Sequence, residues 1–391
     1  MTTLQTFMIC GLPITGMCYS VLGALKLPLS ERLNMHEAKV GGLVSSFGFM
    51  VGPIILICGF LADALGRKGV WVSGSVLVAL SLFLLARTNR YSVAVIAVAL
   101  LSAGWAAMIN VANVLMYMAY DNVFMATNLL DFFFGLGAFL TPTVTVLLIR
   151  KCGFSKAVSF LGAIVAVPLV YSFAVNMQGA APAKPVGFSA VIGDPIMWFC
   201  GIILLLWVPI ESCTAAWATS FVKNVAPAGE APEKSSRIAA WALSAFWLCF
   251  MGSRLMTALV FHSGSATVEH SVHIARLTHI VLAALTIAVL LGIIFTRKRA
   301  VMIALIVVAG LLYGPFFPNL MAILLSHFPV EVHGRAVGTL FGMASVGWTI
   351  IPIIIGSVAD KSNLQRGFLV AVGTGVLLLG LVIAHFIYAP Q

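Results

Sequence analysis

The chain has 391 residues, of which 61% are hydrophobic and only 9% charged. Soluble domains run near half apolar and a quarter charged, so a water-dissolved globular enzyme is excluded and lipid must be the solvent. The formal net charge of +10 rests on 22 Lys and Arg scattered between apolar runs. That is the pattern of membrane-interface anchors, not of a nucleic-acid-binding face.

A bilayer core about 30 Å thick takes about 20 helical residues. Cutting the sequence at charged or Pro/Gly-rich breaks predicts twelve spans: 6–27, 39–61, 70–86, 92–118, 126–149, 157–177, 196–221, 238–261, 275–295, 301–327, 335–358 and 367–388. Backbone polar groups in lipid must be satisfied within the segment, so runs of this length are helices and not barrel strands. The first run lacks the basic flank and cleavage site of a signal peptide and reads as a retained span. Lys26 and Pro28 are expected to end it, with Lys26 reaching outward to the interface. The second span leads into "GFLADALGRKG", 59–69, which gathers Asp63, Arg67 and Lys68 in one turn.

Longer polar connections fall at 178–195 and 222–237, and the first divides the chain into halves of six spans. A weak internal repeat supports that division. Gly48 and Pro53, Gly137 and Pro142, and Gly347 and Pro352 share one spacing in the second, fifth and eleventh spans. Internal repeats with a central site between them are typical of secondary transporters.

Ionisable groups inside the membrane cost at least about 2.5–3.5 kcal/mol on insertion scales, so each asks for a reason. Glu211 lies near the middle of span seven, suited to bind a proton, to accept hydroxyls, or to form a structural pair with Arg254 of span eight. Asp131, near the start of span five, is a second coupling candidate or a gate. Asn110, Asn113 and Asn319 carry amides that both donate and accept, as sugar hydroxyls require; each alternatively joins helices. Trp217 adds an aromatic face for a sugar's C–H side. Glu269, His270 and His273 read as a solvated interfacial loop before span nine. The seven cysteines form no CxxC pair and no zinc spacing, so neither metal nor cofactor is expected.

The 59–69 loop resembles the signature loop of the major facilitator superfamily, with Gly59, Asp63, Gly66, Arg67 and Lys68 all matching at the expected place. That resemblance covers the whole chain. It implies an all-α membrane protein of twelve transmembrane helices in two six-helix bundles, 1–177 and 196–391, joined by a central cytoplasmic linker, 178–195. It implies further that the bundles rock about a midplane site, and that the loop gates by meeting the inner end of span eleven, His333 to Gly338, where Arg335 lies. Arg67 and Lys68 are expected to pair with Asp63 or to hold anionic headgroups.

Within the superfamily, several stretches are similar to the fucose:proton symporter and sodium-dependent glucose transporter-like family. They are "NLLDFFFGLGAFLTP" in span five, "AGWAAMINVAN" in span four, "IESCTAAW" in span seven, the Gly-x-Arg ending at Arg254, and Pro318 in span ten. Ala24 and Ile109 stand where those symporters carry acids, so their proton mechanism is not carried over. The implied function is secondary transport of a small polar solute, a sugar first, coupled to a proton or sodium gradient, by a monomer in a bacterial inner membrane. An exporter of drugs or amphipathic metabolites, or a non-transporting receptor on the same fold, remains an alternative. No enzyme constellation is present. With both termini cytoplasmic, only Arg67, Lys68, Lys184, Arg276 and Arg335 are inner bases, which opposes the positive-inside rule.

Overall fold

The structure, a computed structural model, describes residues 1–35, 37–177, 187–263 and 267–388. Half of the 178–195 connection, 178–186 with Lys184, lies outside the described residues. Among the described residues, twelve helices are long and apolar enough to cross a membrane, and the chain is a multi-pass integral membrane protein. They are Thr3–Leu33, Lys39–Leu65, Arg67–Arg87, Tyr91–Ala119, Val123–Cys152, Phe154–Ser172, Pro195–Asn224, Pro232–His262, Val268–Phe295, Arg299–His327, Val330–Lys361 and Leu364–Tyr388.

Every helix except the sixth runs past its apolar core, because a helix once propagating adds one backbone bond per residue and stops only where a cap ends it. Three expectations are corrected for this reason. The first helix passes through Lys26 and Pro28 and ends at Leu33, where Asn34 takes the left-handed cap conformation. A proline deletes one ladder bond but leaves the others to carry the helix on. Lys26 therefore lies within the helix, its Cε packed near Gly41 of the second span. Val268 begins the ninth helix under a Thr267 cap, so Glu269, His270 and His273 occupy its first two turns and not a loop. Arg276, counted among the inner bases, is buried further along that helix.

The chain forms two compact units, Met1–Val191 with Phe328–Gly342, and Ile192–His327 with Met343–Gln391. The eleventh span thus starts in the first unit and continues into the second.

In the first unit, spans one and five interlock through glycine. A Cβ on Gly16 would strike the Phe134 carbonyl, and one on Gly137 the Pro13 carbonyl. Such close approach is how membrane helices associate where no hydrophobic force separates lipid from side chain. Around this seam Tyr19, Phe47, Trp105 and Phe134 pack ring against ring at 5.2–6.3 Å between centroids. The described end of the long connection, Phe188–Ile192, is a short helix whose Phe188 ring sits on Phe60 of span two.

In the second unit, Gly347 of span eleven lies against the Leu205 carbonyl of span seven, and Gly201 against Met343. Gly137 and Gly347 of the sequence repeat thus play the same part, each beside the first helix of its bundle. Gly48 does not: a Cβ there meets nothing within 4 Å.

Glu230, in the connection before span eight, accepts a hydrogen bond from Arg299 and pairs with Lys234 at 3.5 Å. The Arg299 hydrogen bond, then the Arg299 and Lys234 charges, hold its carboxyl below the usual glutamate range. A depressed acid stabilises the fold above its unfolded pKa and loses that contribution as pH falls through the folded one. Thermal unfolding across pH is therefore expected to show wild type losing stability faster than Glu230→Gln below about pH 4.3, the ordinary glutamate value.

Candidate functional site

Two polar constellations stand out, one in each unit.

The first is built on the turn between spans two and three. Gly66 has φ 91°, the left-handed region that favours glycine, and it reverses the chain in one residue. This places Asp63 at the N-terminus of the helix that begins at His333. Asp63 Oδ1 accepts from the Gly334 N–H at 3.1 Å, and Oδ2 from the Arg335 N–H at 3.0 Å and Arg335 Nε at 2.9 Å. A carboxylate on first-turn amides is favoured both by their unpaired N–H groups and by the helix dipole. Gly59 is required because a Cβ would strike the Gly334 carbonyl.

The cation that pairs with Asp63 is Arg335 of span eleven; the loop's own two bases serve carbonyls. Arg67 donates to the Val330 carbonyl at 2.9 Å and approaches the Met118 sulfur at 3.0 Å. Lys68 donates to the Phe173 and Val175 carbonyls, at 3.1 and 3.2 Å, closing the end of span six. Span eleven meets span two along a glycine stripe at 334, 338 and 342. Gly338 packs on the Ile55 carbonyl and Gly342 lies near that of Gly52. The four-residue spacing of glycines in "GRAVGTLFG" is its signal in the sequence.

The second constellation surrounds a break in span ten. Helix Arg299–Tyr313 stops, and helix Phe316–His327 resumes after Gly314 and Pro315. The reason is in "YGPFFPN": Pro315 has no N–H for Leu311, and Pro318 has none for Gly314. The Gly314 carbonyl, left without its ladder donor, accepts from Arg254 Nε at 2.9 Å. Phe316, just beyond, has its carbonyl 3.0 Å from His279 Nε2. Arg254 is buried and its guanidinium lies 4.0 Å from the Phe250 ring centroid.

Span seven meets the same break. Thr214 donates to its own helix at the Ile210 carbonyl, 2.8 Å, so Tyr313 donates to Thr214 across 3.4 Å. Glu211, half-buried one turn earlier, is near enough for its charge to act on the Tyr313 hydroxyl. The Trp207 ring stacks on Phe316 at 3.8 Å and closes one side. Asn319, buried, opens the resumed helix with its N–H on the Pro315 carbonyl at 3.1 Å. Glu211, Arg254 and Asn319 therefore gather at one broken helix. Tyr313, Thr214 and His279 complete the cluster and were not singled out from sequence; only the Gly-Pro pair pointed to them.

The remaining candidates lie elsewhere. Trp217 is six residues past Glu211, about 120° around the helix, and its edge rests on Phe368 of span twelve. Asn113 donates to its own helix at the Ile109 carbonyl, 2.8 Å. Asn110 belongs with the first constellation, donating to the Gly334 carbonyl at 3.0 Å. Asp131 is buried in span five, in the first unit.

The chain superposes on the E. coli fucose:proton symporter FucP with a TM-score of 0.76, covering 98% of this chain and 99% of that one at 15% identity. It has the major facilitator fold. The human organic anion transporter MFSD10 (TETRAN) shares that fold with a TM-score of 0.75, covering 97% of this chain and 99% of its own at 16% identity. The proton:xylose symporter XylE gives 0.74, covering 99% and 95% at 13% identity. No model of a known protein family matches the sequence. A cis,cis-muconate transport protein of Acinetobacter baylyi is 31% identical over 104 residues, a quarter of this chain and a quarter of that protein's length. Among the described residues, the turn after span two and the broken tenth span each gather several buried polar groups.

Proposed function

We propose that the chain is a secondary transporter that moves a small polar solute, a hexose-like sugar in first place, by alternating access. The break in span ten carries the reading. Transporters build midplane sites where helices are interrupted and backbone polar groups become available. Here the interruption collects a carboxylate, a guanidinium, a phenol and an amide, all able to bond hydroxyls. Glu211 is the coupling acid: its ionised form acts on the Tyr313 hydroxyl, and binding a proton or sodium ion there would change what the solute meets. Asp131 is a second acid for coupling, in the other unit. The Asp63 latch on Gly334 and Arg335 opens and closes once per cycle. A monomer in a bacterial inner membrane completes the proposal.

The test is uptake into proteoliposomes under an imposed proton or sodium gradient, with hexoses and unsaturated dicarboxylates as solutes. Accumulation of a hexose is expected for wild type. Glu211→Gln is expected to abolish gradient-driven accumulation while solute exchange at zero gradient continues. Unchanged accumulation in Glu211→Gln removes that residue from coupling.

The local match to a muconate transport protein favours a second reading, in which the solute is an organic anion and Arg254 its counter-ion. Dicarboxylate uptake lost in Arg254→Gln, with no hexose uptake in wild type, would select it.

A further inference from the structure

We infer that Asn110 of span four is a gating residue, the second jaw of the clamp that holds the start of span eleven, and not a solute ligand. This rests on the transport reading for its function, but its physical content stands on geometry alone.

Gly334 is held at both its polar atoms. Its N–H goes to Asp63 of span two at 3.1 Å, and its carbonyl accepts from Asn110 Nδ2 of span four at 3.0 Å. A side chain at 334 would meet Asp63 Oδ1 and the Gly59 carbonyl, so only a bare backbone fits between the jaws. Asn110 has no exposed surface. The amide must present its nitrogen, since the opposite orientation would set two acceptors against each other.

Span four offers more than one contact to this segment. Tyr117 lies two turns beyond Asn110, on the same face. Its ring stands edge-on to His333, 4.5 Å between centroids at 89°. Met118 beside it receives Arg67, whose other nitrogen holds the Val330 carbonyl. The start of span eleven is thus docked between spans two and four, with Asp63 as one anchor and Asn110 as the other.

Asn110 Oδ1 is buried with no hydrogen-bond partner among the described residues. A buried acceptor without a partner costs stability, and such a group in a native structure asks for a reason. A contact that must be broken in every cycle supplies one: a fully satisfied amide would hold the gate too firmly. Sugar recognition would instead require both ends of the amide to face the solute, and one end is already committed to Gly334.

Hydrogen exchange on the full chain in lipid nanodiscs tests this without any solute. Asn110→Ala is expected to raise exchange across 328–342 about tenfold, the scale of one buried hydrogen bond, while peptides from span five keep their protection. Asn110→Asp donates only when protonated. After correction for intrinsic rates, its protection of 328–342 is expected to match wild type at low pH and to fail as pH rises, a profile absent from wild type. Unaltered exchange in Asn110→Ala, or a pH-independent Asn110→Asp, overturns the inference. Uniform loss of protection along the whole chain in both variants also overturns it, marking Asn110 as general packing. Should wild type move no solute at all, the transport reading falls while the exchange result still decides whether Asn110 grips span eleven.

Discussion

Gly137→Ala is expected to cost more than about 3 kcal/mol, the upper end of overpacking penalties. Fluorescence-detected size exclusion after heating is expected to show little surviving folded protein. The added methyl would meet the carbonyl oxygen, carbonyl carbon and Cα of Pro13, all backbone atoms of span one. No side-chain rotamer relieves that clash; the two helices must separate. Separation also strips Gly16 from the Phe134 carbonyl, so one methyl undoes both halves of the seam. Gly347→Ala is expected to behave alike against Leu205. Two controls make the comparison sharp. Gly201→Ala meets only the flexible Met343 side chain and should be far milder. Gly48→Ala meets nothing and should gain about 0.5–1 kcal/mol, since a mid-helix glycine carries an entropic cost. A mild Gly137→Ala would refute the close approach of spans one and five.

Asp63→Asn is expected to lose about 3–5 kcal/mol of local stability, the cost of leaving a buried partner charge without its counterpart. The change keeps the side chain's shape, yet Asp63 accepts three hydrogen bonds, from two amides and a guanidinium. An amide in its place turns a donor toward at least one of those donors. Arg335, whose side chain is only 15% exposed, then loses the Asp63 carboxylate. Removing the arginine as well should recover part of the loss. A cycle of Asp63→Asn, Arg335→Gln and the double variant, read by thermal unfolding, is therefore expected to be clearly sub-additive. Strict additivity would mean that the pair contributes nothing to holding the helix start.

Much of the architecture was legible because lipid imposes a simple rule. A long apolar run must be helical to satisfy its own backbone, so composition and length suffice to place twelve helices. The loop at 59–69 was legible too, because charges are scarce in this chain and three gathered in one turn are conspicuous. Ends were less legible: the helices at Leu33 and Val268 are set by caps, and hydropathy does not register a cap. The break at Gly314–Pro315 was written in the residues but hidden by an apolar run that continues across it.

Amino-acid sequence by itself settled that this chain lives in a bilayer as a set of helices, and marked Asp63, Glu211 and Arg254 as residues needing a reason. It did so because burying charge in lipid is costly wherever the helices lie. Which groups meet was decided only by tertiary structure. Arg335 and not Arg67 or Lys68 reached Asp63; Asn110 turned to Gly334; Trp217 turned to Phe368; and Arg254 found a carbonyl that Pro318 had left without a donor. Hydrogen bonds reach about 3 Å and depend on direction. Partners from 60 to 272 residues apart leave no trace in local pattern until the fold sets their helices side by side.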